Sequence, residues 1–207
     1  MRLANITQSK SGEPTWHIWL AVLVAIGLQL LLKDELVFSS KYSIASLEVI
    51  LLFILVIPQI LPEVKRLFAL CLVSLVSVAN LASLGLVVQA LLASGKQAGG
   101  HQLLVSSVAI YLTNIIVFGI LYWELDNSQD NITDFQFPQA NAAPSVAKVW
   151  APTFFDYLYV SVTNATAFSP TDTLPLTHRA KLLMTIQSLT SLVTVALVAA
   201  RAVNILG

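Results

Sequence analysis

Apolar residues in this chain fall in long unbroken runs separated by short polar breaks, rather than in the stripes of an amphipathic soluble helix. Five runs cover residues 16–32, 43–61, 66–93, 102–123 and 181–206. A run of about 20 apolar residues matches the ~30 Å hydrocarbon core of a bilayer. Within that core the backbone has no partner but itself, so each run predicts a transmembrane helix. A sixth segment, 153–167, is too short and too polar for an ordinary span. Phe155, Leu158, Tyr159 and Val162 recur at helical spacing on one face, while Ser161 and residues 163–166 bring polarity toward its end. Pro152 suits the first turn of a helix, Asp156 suits the positive end of the helix dipole, and Pro170 stops the segment. The pattern predicts a half-membrane, re-entrant helix between the fourth and fifth spans. Such a helix is tolerated at depth only if its end is buried in protein or faces a water-filled cavity.

The breaks organise the spans. Residues 62–65 and 94–101 are short links, which makes the helices they join antiparallel neighbours. Pro58 and Pro62 are read as ending the second span, and Gly95, Gly99 and Gly100 loosen the link after the third. The remaining connection, 124–151, is long. Glu124, Asp126, Asp130 and Asp134 keep it out of the bilayer, and Pro138 and Pro144 keep it irregular. The expected fold is all-α: a polytopic membrane protein with five transmembrane helices and a re-entrant, pore-type half-helix. Residues 1–15 form a short tail, and residues 16–207 form a single transmembrane domain.

Composition agrees with this reading: 57% of residues are hydrophobic and 11% charged, a surface no soluble domain of this size would hide. With 11 basic and 11 acidic residues the net charge is zero, so no nucleic-acid partner is expected. The single cysteine, Cys71, excludes an intrachain disulfide, and no Cys/His cluster or HExxH spacing suggests a metal site. No cofactor is implied. Asp156, Asp172 and His178 lie near one another in sequence, but Thr177 reads as the N-cap of a helix that His178 begins, and no enzymatic activity is expected. Basic residues favour an N-terminus inside: Arg2, Lys10, Lys65, Arg66, Lys148, Arg179 and Lys181 then lie on the inner side, against Lys33, Lys41, Lys96 and Arg201 outside.

The order FDYLYVSVTNAT, TAFSPTD, THRAKLLMTIQSL resembles the potassium-channel pore domain, in which a pore helix, a TVGYGD-type filter and an inner helix follow one another at these spacings. Along that filter only Thr166 and Asp172 match. Ser169 and Thr171 stand in place of the two glycines, and Pro170 in place of the aromatic residue. The last half of the chain also resembles an uncharacterised family of bacterial integral membrane proteins with a [YF][WF]DFLYFSFT-like helix and a TSD-like turn. That resemblance implies a multi-pass protein of the bacterial cytoplasmic membrane and assigns no activity.

A carbonyl filter needs backbone geometry that glycine adopts without strain. Pro170 fixes its own φ and biases Ser169 toward extended conformations, so a potassium-selective cage is not expected. The hydroxyls remain. Thr163, Thr166, Ser169 and Thr171, with Asp172 at the mouth, are candidate liners of a less selective path for inorganic cations. On the last span Gln187, Thr190, Ser191 and Thr194 form an i, i+3, i+4, i+7 stripe that either lines an aqueous cavity or joins helices. Two function classes follow. One is a weakly selective ion channel assembled as a homo-oligomer, a tetramer if channel-like. The alternative is a non-conducting membrane protein whose channel-like unit serves packing or partner binding.

Overall fold

The computed structural model describes residues 16–32, 36–37, 42, 46–47, 49–50, 62–92, 100–126, 132–141, 150–167 and 172–206. Among the described residues the longer helices are α1 (Trp16–Leu30), α2 (Pro62–Leu92), α3 (Gly100–Asp126), α4 (Phe154–Ala167) and α5 (His178–Leu206). Three of them hold segments long and apolar enough to cross a bilayer: Cys71–Gln89 in α2, His101–Asp126 in α3 and His178–Ala200 in α5. These mark a membrane protein. At 15 residues, α1 is an apolar but shorter helix. The predicted span over 43–61 lies largely outside the described residues.

Helix α3 is the centre of the bundle, packed against α1, α2, α4 and α5. Toward α1 and α2, Val117 and Ile120 join Val22, Ala25, Ile26, Leu72, Val73 and Val76 in one apolar cluster. A second cluster joins Leu103 and Ile110 of α3 to Leu84 and Val87 of α2 and to Leu32 just past α1. The numbering rises along α1 and α2 as it falls along α3, so α3 runs antiparallel to both. The short link between α2 and α3 requires this arrangement. On the other side of α3, Phe118 and Tyr122 pack with Tyr157 and Val160 of α4 and with Ala180 and Met184 of α5.

Three sequence expectations change. The fold is mostly helical but not purely so: β1 (Phe135–Gln136) and β2 (Leu174–Pro175) form an antiparallel pair, with Phe135 opposite Pro175 and Gln136 opposite Leu174. Pro62 opens α2, a first-turn position where its missing N–H leaves no bond unmade, while the expected end of the preceding span lies outside the described residues. Pro152 lies before α4 instead of inside its first turn. The start is set by Thr153 and Asp156: the Asp156 carboxylate accepts from the Thr153 amide at 2.7 Å and from its hydroxyl at 2.8 Å. Within the long connection, residues 124–126 complete α3, and two of the four acids turn inward. Asp126 Oδ1 accepts from the amides of Asp134 and Phe135 at 2.6 and 3.3 Å, while Asp134 is fully buried.

Candidate functional site

The segment from Thr153 to Arg179 can be followed against α3 bond by bond. At its start, the Tyr157 hydroxyl donates to Oδ2 of Asp126, the last residue of α3, at 2.7 Å. One turn further, Ser161 Oγ donates to the Ile115 carbonyl at 2.6 Å. At the far end of α4, the Tyr111 hydroxyl donates to the Ala165 carbonyl at 3.3 Å. Helix α4 therefore descends antiparallel to α3 from Asp126 to the level of Tyr111, less than two-thirds of the way along a helix that begins at Gly100. The chain then comes back. β2 pairs with β1 just after α3, and the Thr177 hydroxyl donates to Asp134. Arg179 closes the return with two parallel bonds to Asp134, Nε to Oδ1 at 2.8 Å and Nη2 to Oδ2 at 2.7 Å. Entry and exit of the segment thus lie at the same end of α3.

Close approach makes the α3–α4 seam possible. A Cβ on Gly119 would lie 3.2 Å from Leu158 Cα and 3.1 Å from its Cδ1. Glycine lets the two backbones touch at that crossing.

The polar stripe of α5 faces inward along this seam. Gln187, fully buried, accepts from the Tyr122 hydroxyl at 2.5 Å and from Asn164 Nδ2 at 2.8 Å. Its Nε2 donates to Ser161 Oγ at 2.6 Å and to the Ser161 carbonyl at 3.0 Å, so all four of its bonding positions are filled. Asn164 also donates to the Met184 carbonyl at 3.0 Å and accepts from Ser188 Oγ at 3.0 Å. Lower on the stripe, Asn114 Nδ2 donates to Ser191 Oγ at 2.9 Å. Thr190 and Thr194 are buried, and their hydroxyls donate to the Ile186 and Thr190 carbonyls of their own helix at 2.8 and 2.7 Å. All four stripe residues are enclosed within the chain.

The candidate ion-path residues are placed differently. Thr163 Oγ1 donates to the Tyr159 and Val160 carbonyls, both at 3.0 Å, and Thr166 Oγ1 donates to the Val162 carbonyl at 2.8 Å. Each hydroxyl proton is committed to its own helix, which leaves the oxygen lone pairs as the available chemistry. Thr166 and Asp172 are exposed, and Ser169 and Thr171 lie outside the described residues. On the same outer side of α4, Phe155, Tyr159 and Val162 are also exposed. No group of three or more metal-ligating side chains occurs among the described residues.

Thr177 acts as the N-cap of α5: its hydroxyl accepts from the Ala180 amide at 3.2 Å. Asp126, Asp134, Tyr122 and Asn164 were not singled out for these roles from sequence. Asp134 lies 45 residues from Arg179 and Asn164 lies 23 from Gln187, so no local pattern announces either pair. The sequence signal for the Tyr122–Asn164–Gln187 set was a tyrosine and a glutamine within otherwise apolar runs, Tyr122 in 102–123 and Gln187 in 181–206. No protein-family model, curated protein or solved structure matches this chain.

Proposed function

We propose that this is a pore-loop membrane protein: residues 153–177 enter the bilayer and leave on the same side, and copies assemble around that segment to form a weakly selective cation path. The observation that carries the reading is the course of α4, which starts beside Asp126, stops beside Tyr111 and is followed by a return to Asp134. A helix of 14 residues is ~21 Å long, too short for a ~30 Å hydrocarbon core, whereas the 27 residues of α3 reach ~40 Å. A helix ending at that depth leaves its last carbonyls needing partners other than lipid. A water-filled path between copies supplies them.

The bonded stripe on α5 supports this reading in a particular way. Gln187 holds α4 at a set depth, so the stripe serves as an anchor and the path is assigned to Thr163, Thr166, Ser169, Thr171 and Asp172. With no glycine from 154 to 181, selectivity rests on hydroxyl oxygens and the Asp172 carboxylate in place of backbone carbonyls. A tetramer in a bacterial cytoplasmic membrane is the assembly proposed by resemblance. The non-conducting alternative is favoured by one observation: the seam among α3, α4 and α5 is internally satisfied, as a purely structural unit would also be.

Purified protein in planar bilayers or cation-flux liposomes separates the two. The channel reading expects sodium and potassium to pass at comparable rates and Asp172→Asn to lower the flux several-fold. A Ser169→Gly, Pro170→Tyr, Thr171→Gly triple substitution is expected to shift preference toward potassium. A folded, oligomeric protein that passes neither cation, with or without these substitutions, leaves only the packing or docking role.

A further inference from the structure

Helix α3 carries a second polar stripe, and this one is not satisfied. Ser106, Ile110, Thr113 and Val117 recur at i, i+4, i+7 and i+11, and both Ile110 and Val117 belong to apolar clusters built with α1 and α2. Phe154 of α4 joins the first cluster and Leu197 of α5 lies against the second, but most members of both come from α1, α2 and α3, so the stripe faces mainly toward α1 and α2. Ser106 and Thr113 each have no exposed surface, yet neither hydroxyl has a hydrogen-bond partner. A serine or threonine inside a helix ordinarily donates to the carbonyl four residues back, as Ser107 does to Leu103 at 2.8 Å. Ser106 and Thr113 forgo that bond.

A third unpartnered atom comes from the opposite wall. Gln29 Nε2 on α1 is buried without a partner. It sits between Ile26, clustered with Val117, and Leu32, clustered with Ile110, which brings it to the level of the stripe. From α2, Asn80 is buried and its Nδ2 donates to the Ile110 carbonyl at 3.1 Å, so α2 joins the same polar layer. Apolar clusters lie on either side of this layer. The described parts of α1, of α2 from 71 to 89 and of α3 from 102 to 123 contain no Asp, Glu, Lys or Arg.

We infer that the α1–α2–α3 junction is an internal water site, with ordered waters bridging Gln29, Thr113 and Ser106 in the middle of the bundle. Water fits the chemistry of the layer. Hydroxyls and an amide offer donors and acceptors together, which a bridging water needs in numbers of two to four, and among the described residues of these spans no fixed charge compensates a bare ion. Ser106 and Thr113, seven residues apart, are separated by ~10 Å along the helix axis, so more than one water is required. The site is independent of the pore-loop proposal, since it lies on the other side of α3.

Thermal unfolding of the full chain in nanodiscs tests it with Thr113→Val, Gln29→Leu and the pair together. Bridging waters predict a fall in Tm of ~2–6 °C for each single substitution. The double substitution then falls by less than the two added, because both side chains bind a shared guest. Water-edited solid-state NMR of the unsubstituted protein gives a readout that folding failure cannot confuse: rapid transfer from water to the Gln29 and Thr113 side chains. An empty, dry layer predicts the reverse, since replacing a buried unpartnered hydroxyl by a methyl group removes a penalty. A Tm that rises or stays level for Thr113→Val, or no water transfer at either side chain, overturns the inference.

Discussion

Replacing Gln187 with leucine removes a side chain through which α5 grips both α3 and α4. The glutamine makes four hydrogen bonds, to the Tyr122 hydroxyl, Asn164 Nδ2, the Ser161 carbonyl and Ser161 Oγ. In the Gln187→Leu protein the Tyr122 hydroxyl loses its acceptor and the Ser161 carbonyl its donor, while Asn164 keeps only part of its set. Interhelical hydrogen bonds in a bilayer contribute ~0.6–1.7 kcal/mol each, because the separated helices also find partners. Three disrupted partners therefore cost about 2–5 kcal/mol, and leucine returns little since lipid is as apolar as the bundle. Reversible unfolding in mixed micelles, followed by tryptophan fluorescence, measures the loss. A Tyr122→Phe background sharpens the test: with the phenol hydroxyl already gone, Gln187→Leu should cost ~0.5 kcal/mol or more less than in the unsubstituted chain. A loss below ~0.5 kcal/mol, or strict additivity with Tyr122→Phe, would refute the claim that this network anchors α4.

Two further substitutions probe the same unit. Gly119→Ala is expected to destabilise by about 1–3 kcal/mol, with Gly119→Val worse, because the new Cβ meets Leu158 Cα at 3.2 Å and a helical backbone atom cannot step aside as a flexible side chain can. An increase in Tm for the alanine variant would show that the crossing yields and that removing glycine's backbone entropy dominates. Arg179→Met leaves a fully buried Asp134 carboxylate without its cation, but Arg179 is itself 36% exposed, so the expected loss is about 2–3 kcal/mol, at or below the low end for a buried pair. Adding Asp134→Asn to Arg179→Met should recover part of that stability in the same unfolding assay, and no recovery would mean that the ion pair is not what holds the return to α3.

The long apolar runs were readable because a bilayer demands them: about 20 apolar residues are the least that can span it as a helix. That requirement is local, and it located α2, α3 and α5 to within a few residues. The short helix was readable for a related reason, since Phe155, Leu158, Tyr159 and Val162 keep helical spacing over a stretch too short to span. Its N-terminal boundary was displaced by one residue. Thr153 and Asp156 satisfy each other across the first turn, which overrode the preference of Pro152 for that position.

The stripe on α5 marks the limit of this reading. Spacing placed Gln187, Thr190, Ser191 and Thr194 on one face and left open whether that face met water or another helix. Hydrogen-bond partners resolve it: Gln187 meets Tyr122, Ser161 and Asn164, and Ser191 meets Asn114. Those partners come from two other helices, 23 to 77 residues away.

Local chemistry was thus enough to specify that α2, α3, α4 and α5 are helical, that α2, α3 and α5 are apolar enough for a membrane, and that 154–181 lacks the glycines of a carbonyl filter, whereas the expected spans over 16–32 and 43–61 correspond to a shorter apolar helix and to a segment largely outside the described residues. Those properties depend on the residues of one segment and the solvent around it. The level along α3 at which α4 stops, the turn of Asp134 toward Arg179, and the division of α3 into a satisfied and an unsatisfied polar face depend instead on which distant groups meet. A buried polar atom must be paired or incur a cost, and the identity of its partner is a property of the packed bundle that no single run of residues contains.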